Sequence, residues 1–160
     1  MAGNKRNGKA YRPRPVKLNA CLIALERNKV LKQAVTEDFS NEFELAALAA
    51  LDAVARGHGT KDQWDVLANC LNHSWILARG GLGAEARDLV NGAHEAMRRM
   101  VPMYHQTGKL AFVSAADQST VEQAIATWIE QLKLVTLGEM NAALEVVERE
   151  YWKHREPEAA

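Results

Sequence analysis

The sequence predicts an all-α fold: a helical bundle of about five helices, with a long C-terminal helix and a flexible basic N-terminal arm. Three observations predict it. Apolar residues recur at alternating spacings of three and four along most of the chain, and no stretch alternates apolar and polar residues with the period of a strand. Alanine is abundant while aromatic residues make up only 6%, a balance that favours helices over sheets. Short patterns that start helices stand ahead of several of the apolar periods. The 160 residues fit one domain with a sizeable core, drawn as an arm over residues 1–17 and a single helical domain over 18–156.

Charge is segregated along the chain. Lys5, Arg6, Lys9, Arg12, Arg14 and Lys17 give the first 17 residues a charge of +6 with no acid, and the remaining 14 basic and 20 acidic side chains sum to −6. The arm also holds Gly3, Gly8, Pro13 and Pro15, which suit an extended chain around Tyr11–Pro15. A first helix is expected from Val16 or Leu18 to Ala34, on the apolar residues Leu18, Leu22, Leu25, Val30 and Leu31. Asn41 with Glu44 three residues on has the form of a capping box and opens a second helix running to Arg56, with Phe43, Ala47, Leu48, Leu51 and Val54 inward and Gly57 beyond its end. Thr60 with Gln63 is another such box. The helix it opens buries Trp64, Leu67, Ala68, Leu71 and Trp75 and ends at Gly80-Gly81.

A fourth helix begins near Ala84, turns Leu89, Val90, Ala93, Met97 and Met100 inward, and is expected to kink or end at Pro102. Leu110 to Val113 is a short apolar segment that tucks under the bundle. Ser114 with Asp117 then caps the final helix, read as one long helix over roughly Ala115 to Arg155 on Val121, Ile125, Trp128, Leu132 and Val135, then Leu137, Met140, Leu144, Val147 and Tyr151; Gly138, which costs a helix interior only about 1 kcal/mol relative to alanine, leaves a break there open. A straight rod of that length would run about 60 Å, whereas a chain of this size has a radius of gyration of roughly 15 Å. The rod must therefore bend or protrude, and a protruding half makes Met140, Leu144, Val147, Tyr151 and Trp152 candidates for an oligomer interface.

Chemistry is not legible at the same level. Cys70 and His73 have a ligand-like spacing, but no second pair completes a tetrahedral set, so packing explains them as well. His94-Glu95 begins like a metalloprotease helix, yet Arg98 stands where the second histidine is required. Gly80-Gly81-Leu82-Gly83 lacks the strand, lysine and hydroxyl of a phosphate loop and reads as a turn between helices. Two cysteines and five histidines specify no nucleophile and base pair, so no enzyme activity, catalytic residue, metal or cofactor is expected. Cys21 and Cys70 are expected to be reduced. No apolar run is long enough for a bilayer and no secretory segment is evident, so a cytoplasmic location is expected and a membrane role is not.

The feature with a direct physical use is the arm: Lys5, Arg6, Lys9, Tyr11, Arg12, Arg14 and Lys17 suit phosphate backbones or an acidic surface, with Tyr11 able to stack on a base. Tyr11-Arg12-Pro13-Arg14-Pro15-Val16 at the start, Trp64-Asp65, Thr107-Gly108-Lys109, and Thr136 with Glu139 together resemble small helical proteins encoded by bacterial phages and prophages. That resemblance carries no catalytic or binding residue across. It implies a phage-derived product working in a bacterial cytoplasm, a small protein that binds a host protein or nucleoprotein complex and redirects or inhibits a host factor, including an antiviral defence component; the spare apolar stripe on the last helix adds the expectation of a homodimer. The alternative is a nucleic-acid-binding accessory protein of phage replication or regulation that uses the arm.

Overall fold

A computed structural model describes residues 27–153, with side chains as far as residue 150. Within that span the chain is an all-α bundle and no strand forms. Five helices are named here: α1 Glu37–Ala55, α2 Lys61–Arg79, α3 Arg87–Thr107, α4 Ala115–Leu134 and α5 Leu137–Lys153, with a 3₁₀ turn at Ala84–Ala86 before α3. Helical residues 27–31 precede them. The arm, with Lys5, Arg6, Lys9, Tyr11, Arg12, Arg14 and Lys17, and the start of the first helix lie outside the described residues.

The second helix begin earlier than its sequence suggests. Ala34 makes an antiparallel bridge with Thr136, so the chain leaves that pairing extended at Thr36 and turns directly into α1 at Glu37. Thr36 supplies no side-chain cap, but Glu37 and Asp38 put two carboxylates at the positive end of the helix dipole. Asn41 and Glu44, expected as the capping box, sit inside the first turns, where Ser40 Oγ donates to the Glu37 carbonyl at 3.0 Å. Position in the fold thus overrode a local capping pattern.

The box at Thr60 and Gln63 forms as expected. The Thr60 amide donates to Gln63 Oε1 at 2.8 Å and the Gln63 amide to Thr60 Oγ1, which satisfies two amides that a helix start otherwise leaves open. The helix it starts, α2, is the hub of the bundle and packs against each of the other four. Leu67, Cys70, Leu71, Leu77 and Ala78 are its buried apolar residues.

Pro102 does not end α3, which continues to Thr107 and closes at Gly108 with φ +69°. Pro102 and Arg98, whose carbonyl loses its helical partner, are both on the exposed side, where water can take the missing bond. Leu110 is 2% exposed and exchanges backbone hydrogen bonds with Gly59 at 2.8 and 3.1 Å. A Cβ on Gly59 would lie 2.9 Å from the Leu110 carbonyl, so the close approach requires glycine.

The long final helix is corrected to two. Ser114 Oγ accepts from the Asp117 amide at 3.1 Å and α4 starts as expected, but Val135 is extended, with φ −76° and ψ 144°. Thr136 starts a new helix: its amide donates to Glu139 Oε2 at 2.9 Å and the Glu139 amide donates to Thr136 Oγ1 at 3.3 Å. Of the two outcomes open to the rod, bending is the one realised. Gly138 does not make the break; it accommodates the crossing chain, since a Cβ there would stand 2.8 Å from the Leu31 carbonyl oxygen.

Candidate functional site

Two kinds of surface and one buried cluster carry the polar chemistry among the described residues. The cluster lies between α2 and α4. His73 is 2% exposed, and its Nδ1 accepts from Trp128 Nε1 at 3.1 Å, which places the proton of the neutral ring on Nε2. That Nε2 is buried without a hydrogen-bond partner. Burial pushes the His73 pKa down from 6.5 to about 4, against a smaller upward pull from the Met140 backbone, so the ring is neutral at pH 7.

Beside His73, Ser74 Oγ donates to Gln131 Oε1 at 2.7 Å, and Gln131 Nε2 donates to the Leu82 carbonyl at 2.7 Å. Gln131 thereby ties α2, α4 and the turn before α3 together. Gly81 and Gly83 hold positive φ in that turn, which fits a connection between helices in which the Leu82 carbonyl points inward as an acceptor. Cys70 is buried and its thiol is pushed up to about 12, chiefly by burial, so it is a poor nucleophile and a poor metal ligand in this state. No group of three histidine, cysteine or acidic side chains among the described residues is placed to hold a metal ion.

On the α3 and α4 surface, Asp117 is bridged by Arg99 at 2.5 Å; that hydrogen bond, with a smaller contribution from Ser114, holds its carboxyl below the usual range. His94, half-buried, meets Asn72 Oδ1 at 2.9 Å, and burial, followed by the charge of Arg98, lowers its pKa. Arg98 itself pairs with Glu95. These contacts are accounted for within the bundle and leave no converging set of reactive groups.

The exposed faces are more informative. Of the expected oligomer-interface residues, Met140 is 1% exposed and belongs to the core, because the bend before α5 turns it towards the bundle; it is not available to a second chain. Leu144 remains 39% exposed and Val147 is half-buried, while the side chains of Tyr151 and Trp152 lie outside the described residues. The structure brings Leu144 beside Arg27, Leu31, Asn141, Glu145 and Glu148 around a groove of about 290 Å³.

Helix α1 is the surface that sequence reasoning missed. It carries Glu37, Asp38, Glu42, Glu44 and Asp52 and no lysine or arginine. Its buried residues are Ala47, Ala50 and Val54, whereas Leu45 is 70% exposed, Leu48 43% and Phe39 37%. Leu48 was expected inside, but it lies one residue past Ala47, about 100° round the helix from the buried line. The signal was available: Leu45 is half a turn off the stripe that Ala47, Ala50 and Val54 define. At the neighbouring end of α4, Lys133 pairs with Glu130 at 2.7 Å and feels the charge of Glu44; the next residue, Leu134, is 71% exposed.

Compared with family models, with curated proteins and with solved structures, the chain matches none. No helix among the described residues is long and apolar enough to cross a membrane.

Proposed function

We propose that this chain is a non-enzymatic binding protein that uses the outer face of α1 to occupy a basic surface on a host macromolecule, one that normally contacts nucleic acid. The observation that carries the reading is the composition of that face: five carboxylates on α1, of which Asp52 is paired with Arg56 at 2.9 Å, around Leu45 and Leu48, which stand in solvent. Carboxylates steer the approach to a basic surface and set its orientation, while desolvated leucines contribute the affinity that charge alone does not. The described residues together hold 13 basic and 17 acidic side chains, a net −4 that acts in the same sense. The resemblance to phage and prophage products supplies the setting, inhibition of a host factor or antiviral defence component in a bacterial cytoplasm.

The test is affinity capture from a bacterial lysate with the full chain, followed by elution with double-stranded DNA. The expected result is a basic nucleic-acid-binding protein that DNA displaces. Recovery of partners indifferent to DNA and to salt would count against the reading. In the homodimeric form of the proposal, Leu144 and the end of α5 supply the contact; a constant monomer mass by light scattering across micromolar concentrations removes that part.

A second reading rests on the +6 of the first 17 residues: a nucleic-acid-binding accessory protein acting through Lys5, Arg6, Lys9, Tyr11, Arg12, Arg14 and Lys17. Binding carried by such an arm falls steeply with salt. Titrating DNA and RNA at two salt concentrations, with the full chain and with residues 2–17 deleted, separates the readings. Salt-sensitive binding that vanishes on deletion supports the arm, and no binding by the full chain eliminates it.

A further inference from the structure

Helix α1 turns two different faces to its surroundings. Ala47, Ala50 and Val54 hold it to the bundle. Asn41, Leu45, Leu48 and Asp52, all exposed, are spaced four, three and four, so they form one line along the helix, roughly 160° round from the buried residues. That line is about 16 Å long, or three turns. Glu37 and Glu44 border it on one side and Glu42 on the other, at the positions that flank the contact line where two helices pack side by side. Asp38, three residues before Asn41, continues it towards the N-terminus.

We propose that the partner meets α1 with a single basic amphipathic helix laid along this line, its apolar residues against Leu45 and Leu48 and its cations against Glu37, Asp38, Glu42 and Glu44. The inference rests on the reading of α1 given above and adds the kind of element that the partner presents. A narrow apolar line of helical spacing is matched by another line of the same spacing, on a helix whose own apolar residues recur at steps of three and four. A strand finds no unpaired backbone on a helix to bond to. A second copy of this chain would set Glu37, Glu42 and Glu44 beside their own counterparts, and like charges bordering a seam oppose pairing.

Charge also sets where the partner's cations lie. Asp52 is paired with Arg56 at 2.9 Å, so the C-terminal end of the line is close to neutral. Lys133 of α4 pairs with Glu130 at 2.7 Å and feels Glu44 through charge alone. The carboxylates left to a partner thus gather between residues 37 and 44. Its lysines or arginines belong at the end of its helix that lies over the first two turns of α1. Two leucines make a short seam, in which apolar contact supplies affinity and the bordering ion contacts supply orientation.

Model peptides test the helix separately from the surface. Two capped fluorescent peptides of about 20 residues, long enough to be helical alone, share one content of alanine, leucine and lysine. The first sets its leucines in a line at steps of three and four with lysines beside them; the second scatters the same leucines round the helix. In fluorescence anisotropy with the full chain, the lined peptide is expected to bind at least about tenfold more tightly. That advantage should disappear in Leu45→Lys/Leu48→Lys, and the affinity should fall in Glu37→Gln/Glu42→Gln/Glu44→Gln. Equal affinity of the two peptides, or binding by neither, overturns the helix. So does an advantage that survives in Leu45→Lys/Leu48→Lys, which places the peptide elsewhere, and so does a dimer of the chain broken by those substitutions, which assigns the line to a second copy. The affinity capture above is decided independently: DNA-displaceable capture with no preference between the peptides leaves the surface reading without the helix, and capture indifferent to DNA removes the surface itself. Because substitutions can disturb folding, amide NMR shifts on the unsubstituted chain are the second measurement. Shifts centred on residues 37–52 when the lined peptide is added support the seam, and shifts centred on another helix contradict it.

Discussion

Helices α1 and α4 have almost the same length, 19 and 20 residues, and both lie against α2, yet they are used in opposite ways. In α4 eight residues are buried, including Trp128, Ile125 and Leu132 and two polar side chains, Asp117 and Gln131. In α1 three are buried, two of them alanines, while Leu45 and Leu48 face water. One helix is committed to holding the bundle together. The other is attached through Ala47, Ala50 and Val54, with Phe43 and Leu51 partly buried against the core, and keeps Leu45 and Leu48 outside, an exposure that makes sense where another surface covers them. Substitutions should therefore separate the two helices by their effect on stability.

The largest effect is expected at Trp128. Its ring is 2% exposed and donates to His73, so Trp128→Ala removes packing and leaves Nδ1 of a buried histidine without its donor. A loss of about 3–5 kcal/mol is expected by chemical denaturation. A loss under about 1 kcal/mol would mean that α4 is no more embedded than α1.

Acid should loosen the same seam next. The pKa of His73 falls from 6.5 in the unfolded chain to about 4 in the fold, so between those values the unfolded state binds more protons. The contribution of this ring is complete above about pH 6.5, is lost as pH falls towards 4, and amounts to roughly 3 kcal/mol. His94, also lowered from 6.5, acts with the same sign. Asp117 and Glu139, held below 3.8 and 4.5, act at lower pH. Denaturation between pH 4.5 and 6.5 should show stability rising with pH, with a flatter slope in His73→Gln. An unchanged slope in that variant would contradict a neutral, buried His73.

A smaller effect marks the bend between α4 and α5. Thr136→Ala removes the hydroxyl that accepts from the Glu139 amide and should cost about 1 kcal/mol. If thermal unfolding shows no change, the Thr136–Glu139 box does not start α5.

Much of this fold is legible in the sequence. The box at Thr60 and Gln63, the cap at Ser114 and the stripe Val121, Ile125, Trp128, Leu132 and Val135 are local signals, and the structure keeps them. The errors share one cause: a local pattern decided by a distant contact. Apolar period runs unbroken across Val135 and Thr136 because both α4 and α5 bury that side, so the phase hides the break, although Thr136 and Glu139 have the same form as Thr60 and Gln63. The start of α1 was misplaced because the pairing of Ala34 with Thr136 joins residues about a hundred positions apart. Gln131 and Ser74 could have been suspected, as each occupies a position on an otherwise apolar stripe. Their pairing, and that of His73 with Trp128, depends on how α2 and α4 face each other, which no single helix records. Of the candidate surfaces, sequence periodicity pointed to α5, where Met140 proved internal, and passed over α1, where leucine off the stripe was the better clue.

The most direct measurement joins binding to stability in one variant. Leu45→Lys with Leu48→Lys replaces both exposed leucines with cations among the carboxylates of α1. Because neither side chain is in the core, thermal stability should stay within about 0.5 kcal/mol of the parent chain, while recovery of DNA-displaceable partners from a bacterial lysate should fall at least tenfold, about 1.4 kcal/mol in affinity. Undiminished capture by a variant of unchanged stability would show that α1 is not the surface that meets the partner.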